Sequence, residues 1–84
     1  MSEQTILSLA TIITVGFTIT LGTIGPALAE GKAVIAGLDA IARQPEAASS
    51  ISRTLFVGLA MVESMAIYVL VITLVLLFAN PLLP

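Results

Sequence analysis

Glu63 is the only charged residue between Thr54 and Ala79. A charged side chain near the centre of a bilayer costs about 2.5–3.5 kcal/mol on insertion scales, and residues placed there usually have a functional reason. Glu63 lies nine residues beyond Thr54, ~13 Å deep along a helix rising about 1.5 Å per residue, too deep for so short a side chain to snorkel. Such a carboxyl must be protonated, paired with a cation or facing a polar cavity. Ser64 follows it directly, and Tyr68 stands four residues after Ser64. Their hydroxyls, stacked at i, i+4 beside a carboxyl, read as part of an oxygen-lined site, the ligand type suited to H⁺ or a hard cation such as Na⁺.

Glu30 is the second candidate. Counted from a turn at Gln44, Glu30 is 14 residues back and Glu63 is 19 residues forward, ~21 and ~28 Å along straight helices. In an antiparallel hairpin the two carboxyls lie at similar depth, the remaining turn being absorbed where the second helix starts late. Two carboxyls within reach of each other cannot both be ionised cheaply, so they would share a proton or hold a metal ion. Lys32, two residues along, points to the opposite side of the helix from Glu30. The plainer alternatives are that Glu30 marks the edge of a span facing headgroups and that Glu63 makes only a helix–helix hydrogen bond.

These residues need two membrane helices to hold them. The chain has 84 residues, 58% hydrophobic and 10% charged, too few polar residues to clothe a small soluble core. Thr5 to Ala29 carries no charge at all, and with the run around Glu63 this gives two segments of spanning length. Ala27-Leu28-Ala29 before Glu30 imitates a signal-peptidase site. The chain opens Met1-Ser2-Glu3-Gln4 with no basic residue and its apolar run is long, so a retained helix is expected. Cysteine and histidine are absent, which excludes disulfides, thiol chemistry and the commonest general base and metal ligand. Three basic residues and a net charge of −2 leave no footprint for nucleic acid. No phosphate-binding motif is present, so the chain itself is not expected to be an enzyme and needs no cofactor.

Between the spans, residues 31–42 are rich in alanine and aliphatics, so the first helix continues past its apolar run. Arg43 suits a helix C-terminus, and Pro45 with Glu46 suits the first turn of the next helix. The expected fold is all-α: a single hairpin domain over 1–84, with a first helix at 4–42, a polar loop at 43–46 and a second helix at 47–79 ended by Asn80-Pro81. So short a loop makes the helices antiparallel neighbours. Lys32, Arg43 and Arg53 all lie toward the centre, which puts the loop in the cytoplasm and both termini outside. Gly22, Gly25, Ala29, Ala33, Ala36 and Ala40 recur every three or four residues, a small-residue stripe that lets helix backbones approach in lipid. The stripe serves a hairpin or a ring of hairpins equally.

Gly25-Pro26 with Glu30-Gly31, the loop Ala42-Arg43-Gln44-Pro45-Glu46-Ala47, Glu63-Ser64, Tyr68 and Ala79-Asn80-Pro81 together resemble the c subunit (proteolipid) of a bacterial rotary F-type ATP synthase, over nearly the whole chain. The resemblance implies a homo-oligomeric ring of hairpins in the bacterial inner membrane. Each carboxylate would take an ion from a half-channel in the stator a subunit, and the ring would drive the central stalk. Glu63 would be the ion-binding carboxylate, and Glu30 falls where sodium-type rings have a Gln or a second Glu. Ser64 would supply a hydroxyl, Met61 its backbone carbonyl, and Tyr68 would hold the carboxylate. Arg43, Gln44, Pro45 and Glu46 would face the stalk.

Two departures from the family pattern matter. Gly16 and Gly22 are kept, but Thr18 and Thr20 replace the glycines between them, which implies a larger ring. Met65 stands where sodium-type rings often have Thr, which dries the site. The paired Glu residues resemble the divergent N-type subgroup. For the ion, two carboxyls, a hydroxyl and a carbonyl would suit Na⁺, whereas a drier site favours H⁺, and the balance falls to H⁺. The competing functions are a holin-like pore-forming hairpin and a structural component that merely packs in a larger membrane complex.

Overall fold

The computed structural model describes residues 2–80. Ser2 opens the first helix as its N-cap, accepting the Thr5 amide N–H at 3.1 Å, the usual means of satisfying a free N–H at a helix start. Helix α1 then runs unbroken over Glu3–Arg43, 41 residues, against the 4–42 expected. Pro26 lies inside it and deprives the Gly22 carbonyl of its ladder partner. At the far end Arg43 pairs with Asp39 one turn back, and the Gln44 N–H bonds the Ala40 carbonyl. Pro45–Ala47 forms a single 3₁₀ turn and α2 follows over Ala48–Phe78. Pro45 and Glu46 therefore occupy this 3₁₀ turn before α2, and Arg43 belongs to α1. Pro81 lies outside the described residues.

The hairpin is a rod with extents of 65 × 17 × 10 Å. Gly22 meets Val69 and Gly37 meets Leu55, so a rise of fifteen residues along α1 matches a fall of fourteen along α2. That fixes an antiparallel pair in constant register. One face of α1, through Thr11, Val15, Gly22, Pro26, Ala33 and Gly37, is half-buried against α2. The matching face of α2 runs through Ile51, Leu55, Leu59, Val62, Val69 and Thr73. With half-buried Thr18 and Glu30 on α1 and Ala66 on α2, both repeat every three or four residues, as a seam between helices requires.

Thr73, at 3% exposure, is the one fully buried residue among those described, and its hydroxyl donates to the Leu70 carbonyl at 2.7 Å. Among the described residues no hydrophobic side chain is fully buried, and large apolar residues are exposed all round, among them Phe17, Leu28, Phe56 and Phe78. Both helices are long and apolar enough to cross a membrane. A lone hairpin thus has no core, and its apolar surface must be covered by lipid or by other copies.

The small-residue stripe divides. Gly22, Ala33 and Ala40 are half-buried in the hairpin seam, while Gly25, Ala29 and Ala36 are exposed. A Cβ added at Gly16, Gly25 or Gly31 would meet nothing within 4 Å. Pairing α1 with α2 thus consumes only part of the small surface; the rest is left for a neighbour.

Candidate functional site

Glu30 projects from the edge of the α1 seam, half-buried, and its carboxyl neighbours that of Glu63, which is exposed on α2. The register explains the meeting. Thirteen residues separate Glu30 from the end of α1, and fifteen separate the start of α2 from Glu63, a mismatch of only ~3 Å in rise. The 3₁₀ turn supplies the late start of α2 that brings the two depths together. Lys32 makes no ion pair with Glu30; among the described residues the only ion pair joins Asp39 and Arg43.

The remaining candidates do not all gather at this point. With about 100° between successive residues of a helix, Ser64 is turned ~100° from Glu63, Tyr68 ~140° and Met61 ~160°. Tyr68 is 65% exposed and the Met61 side chain 68% exposed. The hairpin therefore has two dissimilar edges. One carries Glu30 and Glu63, with exposed Gly16, Thr20, Ala27 and Gly31 alongside on α1. The other carries Met61 and Tyr68, with Ala36, Ser50 and Thr54 lining a groove of about 370 Å³ toward the loop. Ser64 faces away from α1 between the edges, and its hydroxyl donates to the Met61 carbonyl at 2.5 Å. Ser64 and Met61 thus form one unit on the turn that bears Glu63. Sequence spacing pointed to Tyr68 as a neighbour of Ser64, which it is, but a five-residue step from Glu63 takes it round the helix.

Within one hairpin, then, two carboxyls meet, while the hydroxyl, the carbonyl and the phenol lie elsewhere. Among the described residues no three carboxylates come together. The pair can exchange one proton between its oxygens or offer two oxygens to a cation; a fuller oxygen shell needs groups from outside the hairpin. The loop end presents the Asp39–Arg43 pair, Gln44, Pro45 and Glu46, all exposed, as a polar tip on an otherwise apolar rod.

Comparison with known proteins bears on the same features. The family model for the ATP synthase C subunit matches residues 13–76, a stretch that contains both carboxyls, the turn and the seam between them. The chain is 60% identical over 81 residues to the second ATP synthase c subunit of Cereibacter sphaeroides, covering 96% of each chain. It is 50% identical over 70 residues to the first ATP synthase c subunit of Syntrophotalea carbinolica, covering 83% of this chain and 80% of that one. With the ATP synthase c subunit of Prochlorococcus marinus the identity is 48% over 78 residues, 93% of this chain and 96% of the relative. With its two apolar helices packed as a hairpin, the chain belongs to the family of ATP synthase c subunits, non-catalytic membrane proteins that form the ion-translocating rotor ring of the complex.

Proposed function

We propose that this chain carries its ion on Glu63, with Glu30 as a tuner that shares its proton or completes a cation shell. The observation that supports this most is the meeting of Glu30 and Glu63 across the seam. Loading there is reversible, because one proton can be shared: protonated Glu63 can donate to Glu30, and protonated Glu30 can donate to ionised Glu63. Met61, Ser64 and Tyr68 complete the site from the adjacent copy. The two-edged hairpin supports this, since placing identical copies side by side sets the carboxyl edge of one against the Met61 and Tyr68 edge of the next. The groove beside Ala36 and Thr54 would then receive the neighbour's side chains.

The ion we propose is H⁺. Met65, one residue after Ser64, brings a thioether where a hydroxyl would help hold Na⁺. We assign the chain to the N-type subgroup on its paired carboxyls. The exposed tip from Arg43 to Glu46 would dock on the central stalk and Glu63 would meet the stator a subunit. The tip would lie in the cytoplasm and both termini outside the bacterial inner membrane, in keeping with the basic residues near the loop.

Carbodiimide labelling of Glu63 in the assembled ring tests the ion. Labelling should be the same with and without NaCl at fixed pH; protection by millimolar Na⁺ would sink the proton reading. Glu63→Gln tests the role. The ring should still assemble while coupled transport is lost, whereas a pore former would still lyse cells and a packing component would lose little.

A further inference from the structure

Lys32 has no part in the site above, yet it sits at membrane depth. By the register of Gly22 with Val69 and Gly37 with Leu55, Lys32 lies level with Ala60 on α2. The apolar run of α2 continues six residues further toward the loop, to Thr54, ~9 Å of rise. Lys32 is exposed on the side of α1 turned from α2, and no ion pair is made to it among the described residues. Asp39, the next acid along that side, is taken by Arg43. A cation at such depth needs a counter-charge or a route to the interface.

From Lys32 back toward the N-terminus that side of α1 presents large exposed apolar residues, Phe17, Leu21, Ile24 and Leu28, with Ile35 just beyond it toward the loop. In a ring this side faces the interior. Five of the six glycines are on α1, at 16, 22, 25, 31 and 37, and only Gly58 is on α2. The slimmer helix takes the smaller circumference, so α1 is the inner helix and one Lys32 per copy forms a belt of like charges around the lumen. Such a belt is unfavourable unless anions sit among its members. The partner must then be negative at one end, to match Lys32, and apolar beyond it, to match the side chains from Leu28 back to Phe17.

We propose that Lys32 binds the phosphate of an anionic phospholipid inside the ring, whose acyl chains run along the α1 side toward Phe17. The inference rests on α1 being the inner helix of the ring. Basic pockets formed by membrane helices bind acidic headgroups, and a ring gathers one Lys32 per copy into such a pocket.

Assembled wild-type, Lys32→Gln and Lys32→Arg rings would be equilibrated in vesicles of phosphatidylcholine with a minor share of phosphatidylglycerol. They would then be released in mild detergent and weighed intact by native mass spectrometry, which reports retained lipid and copy number together. The wild-type and Lys32→Arg rings should retain phosphatidylglycerol over phosphatidylcholine about fivefold more than Lys32→Gln. Equal enrichment in Lys32→Gln overturns the proposal. So does release of phosphatidylglycerol by excess inorganic phosphate, which would make the belt a free-anion site. Should Lys32→Gln not assemble, the wild-type ring decides alone: retained lipid in the vesicle's own ratio overturns the proposal. Glu63 labelling, unchanged in Lys32→Gln, separates a failure here from a failure of the ion site.

Discussion

Gly22 and Gly37 offer a matched test of how closely the helices must pack. A Cβ at Gly22 would stand 2.8 and 3.0 Å from the two Val69 methyls, and one at Gly37 would stand 2.8 Å from a Leu55 methyl. Ordinary carbon contacts are about 3.5–4.0 Å, so each needs ~1 Å of relief. Val69 cannot supply it, because a β-branched side chain in a helix has one strongly preferred rotamer. The helices must part, at the usual overpacking cost of about 1–3 kcal/mol, against a gain of ~1 kcal/mol for Ala over Gly in a helix. Leu55 can swing its terminal methyls for about 0.5–1.5 kcal/mol, which the same gain cancels. Gly37→Ala should therefore be near neutral and Gly22→Ala destabilised by ~1 kcal/mol, about fivefold in the equilibrium constant. Because the chain lacks cysteine, Gln4→Cys and Ala79→Cys accept a unique dye pair, and opening of the hairpin in rising dodecyl sulfate can be followed by energy transfer. Val69→Ala should rescue Gly22→Ala, with a coupling of ~1–2 kcal/mol in the double-mutant cycle. Purely additive effects, or a Gly22→Ala hairpin as stable as Gly37→Ala, would refute the reasoning.

Glu30→Gln should keep ring assembly and slow but not abolish coupled transport, whereas Glu63→Gln abolishes it; vesicle pumping assays rank the two. Met65→Thr restores a hydroxyl beside Ser64, and carbodiimide labelling of Glu63 in that variant should begin to show protection by Na⁺. Thr18→Gly with Thr20→Gly should lower the number of copies per ring, counted directly by microscopy, if bulk at these positions holds inner helices apart. Arg43→Ala breaks only an exposed ion pair worth about 0.3–0.5 kcal/mol, so ring stability should hold while coupling of ATP hydrolysis to transport falls.

The hairpin, its turn and the shared depth of the two carboxyls could be read from the chain because each rests on a count. Apolar run length sets a span, Pro45 marks a turn, and the rise per residue turns sequence distance into depth. What counting missed was azimuth. Spacing placed Tyr68 near Ser64 but not its angle to Glu63, since five residues add ~140° of turn. The stripe from Gly22 to Ala40 is one surface about 80° wide, yet the edge of the seam runs through it: Gly22, Ala33 and Ala40 are half-buried while Gly25, Ala29 and Ala36 are exposed. Thr18 and Thr20 part in the same way: Thr18 is half-buried and Thr20 exposed on the Glu63 edge, which only the pairing of α1 with α2 could decide. Lys32 could be seen to point away from Glu30; that it sits opposite Ala60, inside the apolar reach of α2, required the register.

Only Gln44 and one 3₁₀ turn separate the two helices, and this shortness acts at a distance. One residue added between Arg43 and Ala48 would advance α2 by ~1.5 Å and rotate it by ~100°, swinging Glu63 off Glu30 while leaving both side chains intact. The turn is thus a gauge block: its length is a dimension of the ion site, set some twenty ångströms away (about thirteen residues of helix). A chain can change many seam residues one at a time and still keep its carboxyls together, but a single-residue insertion at the tip has no nearby neighbour in sequence that restores them. The length of that turn should therefore be far less free to change than its composition.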